Sequence, residues 1–186
     1  MKRIIDILLG VFFSLIFLPL IIIISILIKL DSEGPIFFIS DRIGKNSQNF
    51  KMIKFRTMFL NTEVVETSKL QNANFKITKI GKTLRKYSID EIPQFFNVII
   101  GNMSIVGPRP ALPQQIELIE KRKKIGIDKI KPGITGYAQV NGRDLISDTK
   151  KLDLEIEYLK KKNFYVDLMI IFKTLKVVFN KIGISH

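Results

Sequence analysis

The run ILLGVFFSLIFLPLIIIISILI, residues 7–28, contains no charged side chain. At about 1.5 Å per residue it would make a helix roughly 33 Å long, enough to cross the hydrocarbon core of a bilayer. Pro19 stands close to its middle, where a proline removes a backbone donor and costs a regular helix about 3 kcal/mol. Cations flank both ends, Lys2 and Arg3 before the run and Lys29 after it. The preference of basic residues for the cytoplasmic side therefore does not send the two ends to opposite faces. Two forms fit: a helix, a break and a second helix that dips into the membrane and returns, or a kinked spanning anchor, since proline is tolerated in membrane helices. A cleaved signal peptide fits less well, because the run is longer than an ordinary signal core and no small-residue cleavage site follows it.

The rest of the chain is bounded by its composition. With 186 residues, 46% of them apolar, it can bury one core and add a membrane segment, but it has no room for two independent enzyme domains. A formal charge of +13 favours partners that carry phosphate: nucleic acid, an anionic membrane surface or phosphorylated substrates. There is no cysteine, and the only histidine is His186 at the last position. Disulfides and thiolate nucleophiles are thereby excluded, and imidazole base chemistry and a histidine metal site have no basis. Catalysis would fall to carboxylates, hydroxyls, lysines or arginines, with a hard, oxygen-seeking ion such as magnesium.

Residues 36–42 and 50–58 are rich in β-branched and aromatic side chains and flank Gly44-Lys45-Asn46-Ser47, which predicts a β-hairpin directly after the membrane segment. In an extended second strand Lys54 and Arg56 would point to one face, about 7 Å apart, where two cations can grip a diphosphate; a solvated, charged edge strand is the plainer alternative. Residues 59–78, with Asn61, Thr62, Thr67, Ser68, Gln71, Asn72 and Asn74, read as a long loop or a short exposed helix. Ile92, Phe95, Phe96 and Ile99 follow helical spacing, with Gly101 placed to end a core helix over residues 90–100. An amphipathic stretch over residues 112–126 carries Lys121-Arg122-Lys123-Lys124, a run suited to anionic headgroups or to a solvated helix end. Helices are expected over residues 152–158 and 164–182, the second with Leu168, Ile171, Phe172, Leu175, Val178 and Phe179 on one apolar face that would pack on the core or rest in the membrane interface.

Asp90-Glu91 is the one place where two acidic residues are adjacent. Pro93 cannot lie deep in a helix, so both carboxylates belong near a helix N-terminus, where the dipole and free N–H groups favour ionised carboxylates. Neighbouring helical residues diverge by about 100°, so one carboxylate can face a phosphorus centre while the other holds a metal ion. Capping competes with chemistry here: Ser88 with Glu91 matches a capping box, and Asp90 can itself be the N-cap. Arg109, between Pro108 and Pro110, and Arg143, after Asn141-Gly142, would present guanidinium groups from rigid turns to phosphate oxygens.

These blocks together resemble the bacterial sugar transferase family, the monotopic phosphoglycosyl transferases. The resemblance is carried by Lys54-Phe55-Arg56-Thr57-Met58, by Leu84-Arg85 and Ser88-Ile89-Asp90-Glu91-Ile92-Pro93-Gln94 through Asn97-Val98, by Met103-Ser104-Ile105-Val106-Gly107-Pro108-Arg109-Pro110, and by Pro132-Gly133-Ile134-Thr135-Gly136 through Asn141-Gly142-Arg143. It implies a re-entrant membrane helix broken near Pro19, with both ends cytoplasmic. It also implies that Asp90 is a nucleophile attacking the β-phosphorus of a UDP-sugar, that UMP leaves, and that a polyprenol phosphate takes the sugar phosphate from the aspartyl intermediate. Glu91 matches the residue associated with magnesium, and Lys54, Arg85, Arg109 and Arg143 match basic positions of the family. The sequence departs from the family at Leu18, where serine commonly precedes the proline, so the break would rely on Pro19 and on Ser14 or Ser25. Asn102, Lys131 and Tyr137 replace a common Asp, Arg and Trp. Without the multi-span region of larger relatives, the chain looks like a minimal catalytic form.

The expected fold is α/β: a single mainly helical domain with a small β-hairpin, an N-terminal re-entrant membrane helix over residues 1–30, and interfacial amphipathic helices within a cytoplasmic, membrane-associated catalytic domain over residues 31–186. The expected activity is sugar-1-phosphate transfer from a UDP-sugar to undecaprenyl phosphate at the inner membrane, the first membrane step of a glycoconjugate pathway, with membrane lipids and downstream glycosyltransferases as partners and without nucleic acid. Two rivals differ testably: a basic membrane-tethered adaptor that binds anionic lipid or nucleic acid without catalysis, and a metal-dependent enzyme in which Asp90 only binds metal and no covalent intermediate forms.

Overall fold

In the computed structural model, which describes residues 2–60, 62, 73–142 and 146–179, the apolar run forms two helices, α1 (Lys2–Ile16) and α2 (Leu18–Asp31), bent by 58°. Among the described residues no single helix is long and apolar enough to cross a membrane, whereas the bent pair together has that length and composition. Pro19 lies in the first turn of α2, where its missing N–H would have had no helical partner, while its ring opposes a straight continuation of α1. The break stays short: the Phe17 N–H still bonds the Phe13 carbonyl at 2.9 Å, and the Ile21 N–H bonds the Phe17 carbonyl at 2.8 Å. Neither serine expected to support the break does so. The Ser25 hydroxyl donates to the Ile21 carbonyl within α2 at 2.6 Å, and the buried Ser14 hydroxyl has no partner among the described residues.

The expected hairpin follows as β1 (Phe37–Ile43) and β2 (Asn49–Phe55), antiparallel from Phe37 opposite Phe55 to Ile43 opposite Asn49 and joined through a 3-10 turn at Lys45–Ser47. Then come α3 (Ala73–Lys76) and α4 (Lys79–Lys86), the latter capped by the Thr78 hydroxyl, which accepts from the Gly81 N–H at 3.0 Å. Of the polar segment expected as a loop, Asn61, Thr67, Ser68, Gln71 and Asn72 lie outside the described residues. The helix expected over residues 90–100 is interrupted. A 3-10 turn, Ile89–Glu91, is followed by α5 (Gln94–Ile100), with Pro93 as its N-cap and Gly101, at φ 99°, as its end.

The chain continues as β3 (Ser104–Val106), α6 (Ile116–Ile125), a 3-10 turn at Ile127–Lys129, β4 (Gly133–Thr135), α7 (Tyr137–Val140), α8 (Asp148–Lys161) and α9 (Phe164–Phe179). The fold is mostly helical, as expected, and among the described residues the strands form two two-stranded sheets. The second sheet, parallel, pairs Ser104 with Gly133 and Val106 with Thr135 and was not anticipated. It depends on very close backbones: a Cβ at Gly133 or Gly136 would lie 2.1 Å from the Gly107 nitrogen or oxygen respectively. One core joins Phe50, Met52, Val98, Met103, Ile105, Val106, Tyr158 and Ile170; a second joins Ile21, Ile24 and Ile28 of α2 to Phe55 and Leu84.

Both ends of the bent pair are fastened to the rest of the chain. At the start of α1, Lys2 pairs with Asp167, and Arg3 donates to the Val98 carbonyl and, at 2.7 Å, to the Ile99 carbonyl at the C-terminus of α5. Asp6, buried, accepts from the Ser104 hydroxyl at 2.9 Å and the Ile105 N–H at 3.0 Å. At the end of α2, Asp31 accepts from the Ile80 N–H at 2.9 Å. The Arg56 guanidinium donates there to the Ser32 carbonyl at 2.7 Å, the Ser32 hydroxyl at 3.0 Å and the Glu33 carbonyl.

Candidate active site

Asp90 is placed by an unusual turn. Ser88, just before it, has φ 55° and ψ 22°, a left-handed conformation that an L side chain adopts at a cost. The Asp90 side chain that follows this turn lies inward, only 8% exposed. The Ser88 side chain makes no cap bond, so the expected capping box does not form.

Lys54 reaches this turn from β2. Its Nζ lies 2.7 Å from Glu91 Oε1 and 3.6 Å from Asp90 Oδ2, bridging the two carboxylates. Arg109 brings a guanidinium nitrogen to 3.5 Å from the same Glu91 oxygen. Burial pushes the Asp90 carboxyl above the ordinary carboxylate range. Lys54 opposes the shift, Glu91 adds to it, and the charges of Arg85 and Arg109 oppose it further. Asp90, Glu91, Lys54, Arg85 and Arg109, all expected from the sequence, thus share one electrostatic site.

Arg56 does not join them. Regular alternation ends with β2 at Phe55, and the buried Arg56 turns away to the carbonyls at the end of α2. Its geometry makes it the cap of that helix. Arg143 lies outside the described residues.

The support behind the site is more extensive than sequence reasoning found. Asn97, fully buried in α5, accepts from the Ile53 N–H at 3.0 Å and donates to the Lys51 carbonyl at 2.7 Å, fixing β2, and hence Lys54, to the helix that follows the acidic turn. Arg122, in the run suited to headgroups or to a solvated helix end, instead pairs with buried Glu155 and donates to the Arg109 carbonyl at 2.9 Å. It holds the Arg109 loop from behind. Neither residue gave a signal: the spacing of Ile92, Phe95, Phe96 and Ile99 puts Asn97 on the polar side of the helix, and Arg122 sits in a run of four cations.

A desolvated carboxylate among fixed cations suits attack on phosphorus, with the cations receiving phosphoryl oxygens. Among the described residues no group of three or more acidic or histidine side chains could hold a metal ion. Magnesium binds through as few as one or two carboxylates and completes its shell with water and substrate phosphates, so Asp90 and Glu91, both within 3.6 Å of Lys54 Nζ, would be the residues to hold it.

The family model described as bacterial sugar transferase matches residues 1–181. The chain is 36% identical over 98% of its length to a UDP-N-acetylgalactosamine-undecaprenyl-phosphate N-acetylgalactosaminephosphotransferase of Aeromonas hydrophila, covering 44% of that protein. It is 38% identical over 94% of its length to the UDP-glucose:undecaprenyl-phosphate glucose-1-phosphate transferase of Escherichia coli, covering 39% of it. It is also 36% identical over 95% of its length to the exopolysaccharide production protein ExoY of Rhizobium meliloti, covering 84% of it. The chain thus spans less than half of the first two relatives and most of the third. With the match running from the bent helix pair through the acidic turn to α9, the chain belongs to the bacterial sugar transferase family.

Proposed function

We propose that this chain transfers a sugar-1-phosphate from a UDP-sugar to a polyprenol phosphate, undecaprenyl phosphate in particular, and releases UMP. The observation that carries this reading is the buried Asp90 carboxylate, bridged by Lys54 and flanked by arginines, in a chain whose relatives are named for phosphotransfer to undecaprenyl phosphate. In the first step an Asp90 oxygen attacks the β-phosphorus, the bond from that phosphorus to the bridging oxygen breaks, and UMP departs with the electron pair. In the second, an oxygen of the lipid phosphate attacks the same phosphorus and the aspartyl oxygen leaves, restoring the carboxylate. Lys54 and Arg109 hold Glu91 and stand ready for phosphoryl oxygens; Arg85 adds positive potential at Asp90. Magnesium held by Glu91 would neutralise diphosphate oxygens during displacement.

The substrates suggest the setting. Residues 1–30 would form a re-entrant membrane segment, with residues 31–186 a catalytic domain on the cytoplasmic face of the inner membrane. Supporting this are the 58° bend, the ties at both ends of the pair, and the exposed Leu8, Phe12, Leu15, Ile22 and Ile26. Phe172 and Leu175 of α9 are exposed apolar side chains as well. A soluble UDP-sugar would arrive from the cytoplasm, and the lipid-linked product would pass to downstream glycosyltransferases.

The test is UMP release by detergent-solubilised protein with magnesium across a panel of UDP-sugars, with and without undecaprenyl phosphate. Lipid-dependent release from one donor, abolished by Asp90→Asn, is expected. Release unaffected by Asp90→Asn would remove Asp90 as the nucleophile, and no release from any donor by folded protein would refute the reading.

A further inference from the structure

We propose that Arg42 is a further binding residue of this site, where its guanidinium takes phosphoryl oxygens of the anionic substrate. The hairpin register places Phe38 opposite Lys54, Ser40 opposite Met52 and Arg42 opposite Phe50. Directly opposed residues of an antiparallel pair share a face, and alternate residues along each strand do too. Arg42 therefore projects from the same face as Lys54, four residues along the ribbon, or about 13 Å. Two long cationic side chains so placed can bracket one anionic site.

The far end of β1 also adjoins the Arg109 loop. The Ile43 N–H bonds the Ala111 carbonyl at 2.9 Å, which sets the end of β1 beside the loop that carries Arg109. Arg42 stands within the fields of both Arg109 and Glu91: burial and Arg109 lower it to about 10, with Glu91 opposing. Its Nε is buried with no hydrogen-bond partner among the described residues, and the hydroxyl of Ser40, on the same face, is likewise buried and unpartnered.

A guanidinium held partly buried near a second guanidinium is costly unless an anion joins them. The one carboxylate that attracts it, Glu91, already contacts Lys54 and Arg109. Lys54, Arg85, Arg109 and Arg42 around Asp90 and Glu91 leave an excess of positive charge, which a phosphoryl group balances in the fork geometry that arginine favours. The inference rests on the transferase reading for its substrate. Both the nucleotide diphosphate and the lipid phosphate offer this chemistry.

The experiment measures thermal shifts of the detergent-solubilised full chain titrated with inorganic pyrophosphate, UDP or farnesyl phosphate, for wild type, Arg42→Gln and Arg42→Lys, alongside UMP release. Arg42→Gln is expected to weaken pyrophosphate and UDP at least tenfold, with Arg42→Lys recovering part of the loss; a loss confined to farnesyl phosphate assigns the contact to the lipid. Should Arg42→Gln fail to fold, Arg42→Lys alone must bind about threefold or more weakly. Wild type that binds none of the ligands overturns the proposal, as do variants that bind all three as tightly as wild type, even if they melt lower. Wild type that binds pyrophosphate through Arg42 but releases no UMP would sink the transferase reading and leave the anion site standing. UMP release that survives with unchanged KM in a tight-binding Arg42→Gln would sink the anion site alone.

Discussion

At Asp90 two costs coincide, since the left-handed Ser88 before it strains the backbone by about 1–3 kcal/mol and the carboxyl itself is buried. A carboxyl whose pKa is raised by folding binds more protons in the folded state than in the unfolded. Its contribution to stability is therefore complete below the unfolded value and lost as pH rises through the folded one. Once ionised, Asp90 works against the fold, while the same desolvation makes it a stronger nucleophile. Asp90→Asn is thus expected to melt above wild type near pH 7.5, by about 2–4 °C for each kcal/mol relieved, while losing UMP release. The gap should close as pH falls to the ordinary Asp value of about 3.9, below which the group is neutral in both states. Thermal denaturation across that range checks this, and a variant that melts at or below wild type at every pH would show that Lys54 outweighs burial.

The joint between β2 and α5 transmits that placement from one element to another. Asn97 satisfies a backbone N–H and a backbone carbonyl of β2 from inside the core, so Asn97→Ala leaves both partly buried groups without their partner. A stability loss of about 1–3 kcal/mol is expected, with lower UMP release because Lys54 is no longer held at Glu91. Unchanged melting and turnover would show that the hairpin stays in place without this bond. The hairpin was legible from β-branched and aromatic runs on either side of a turn, and α5 and α9 from helical spacing that extends over enough residues to be read. Strands as short as β3 and β4, three residues each, have no period to detect; their pairing depends on glycine contacts between segments distant in sequence. Asp90, Glu91, Lys54 and Arg109 were legible by chemistry and resemblance. Arg56 was misplaced because strand alternation was extended one residue beyond Phe55, past the end of β2, to a side chain recruited by the exposed carbonyls of α2.

Across the whole molecule, the ties at Lys2, Arg3 and Asp6 and those at Asp31 and Arg56 hold the two ends of the bent pair to one body. A spanning segment would separate its ends by a hydrocarbon core of about 30 Å, and one of the two sets of ties would then have to break. Breaking the first would leave Asp6 and the α5 carbonyls without partners; breaking the second would strip the cap from α2 and leave a buried guanidinium unmatched. The absence of cysteine makes this geometry directly measurable with Lys2→Cys, Glu33→Cys and, as a marker of the body, Asp41→Cys. In sealed vesicles of defined orientation, a membrane-impermeant maleimide is expected to label all three from the cytoplasmic side alone. Labelling of Lys2→Cys and Glu33→Cys from opposite sides would make the pair a span. Matching accessibility would instead put both ends of the bent pair on the side from which the proposed UDP-sugar would reach Asp90.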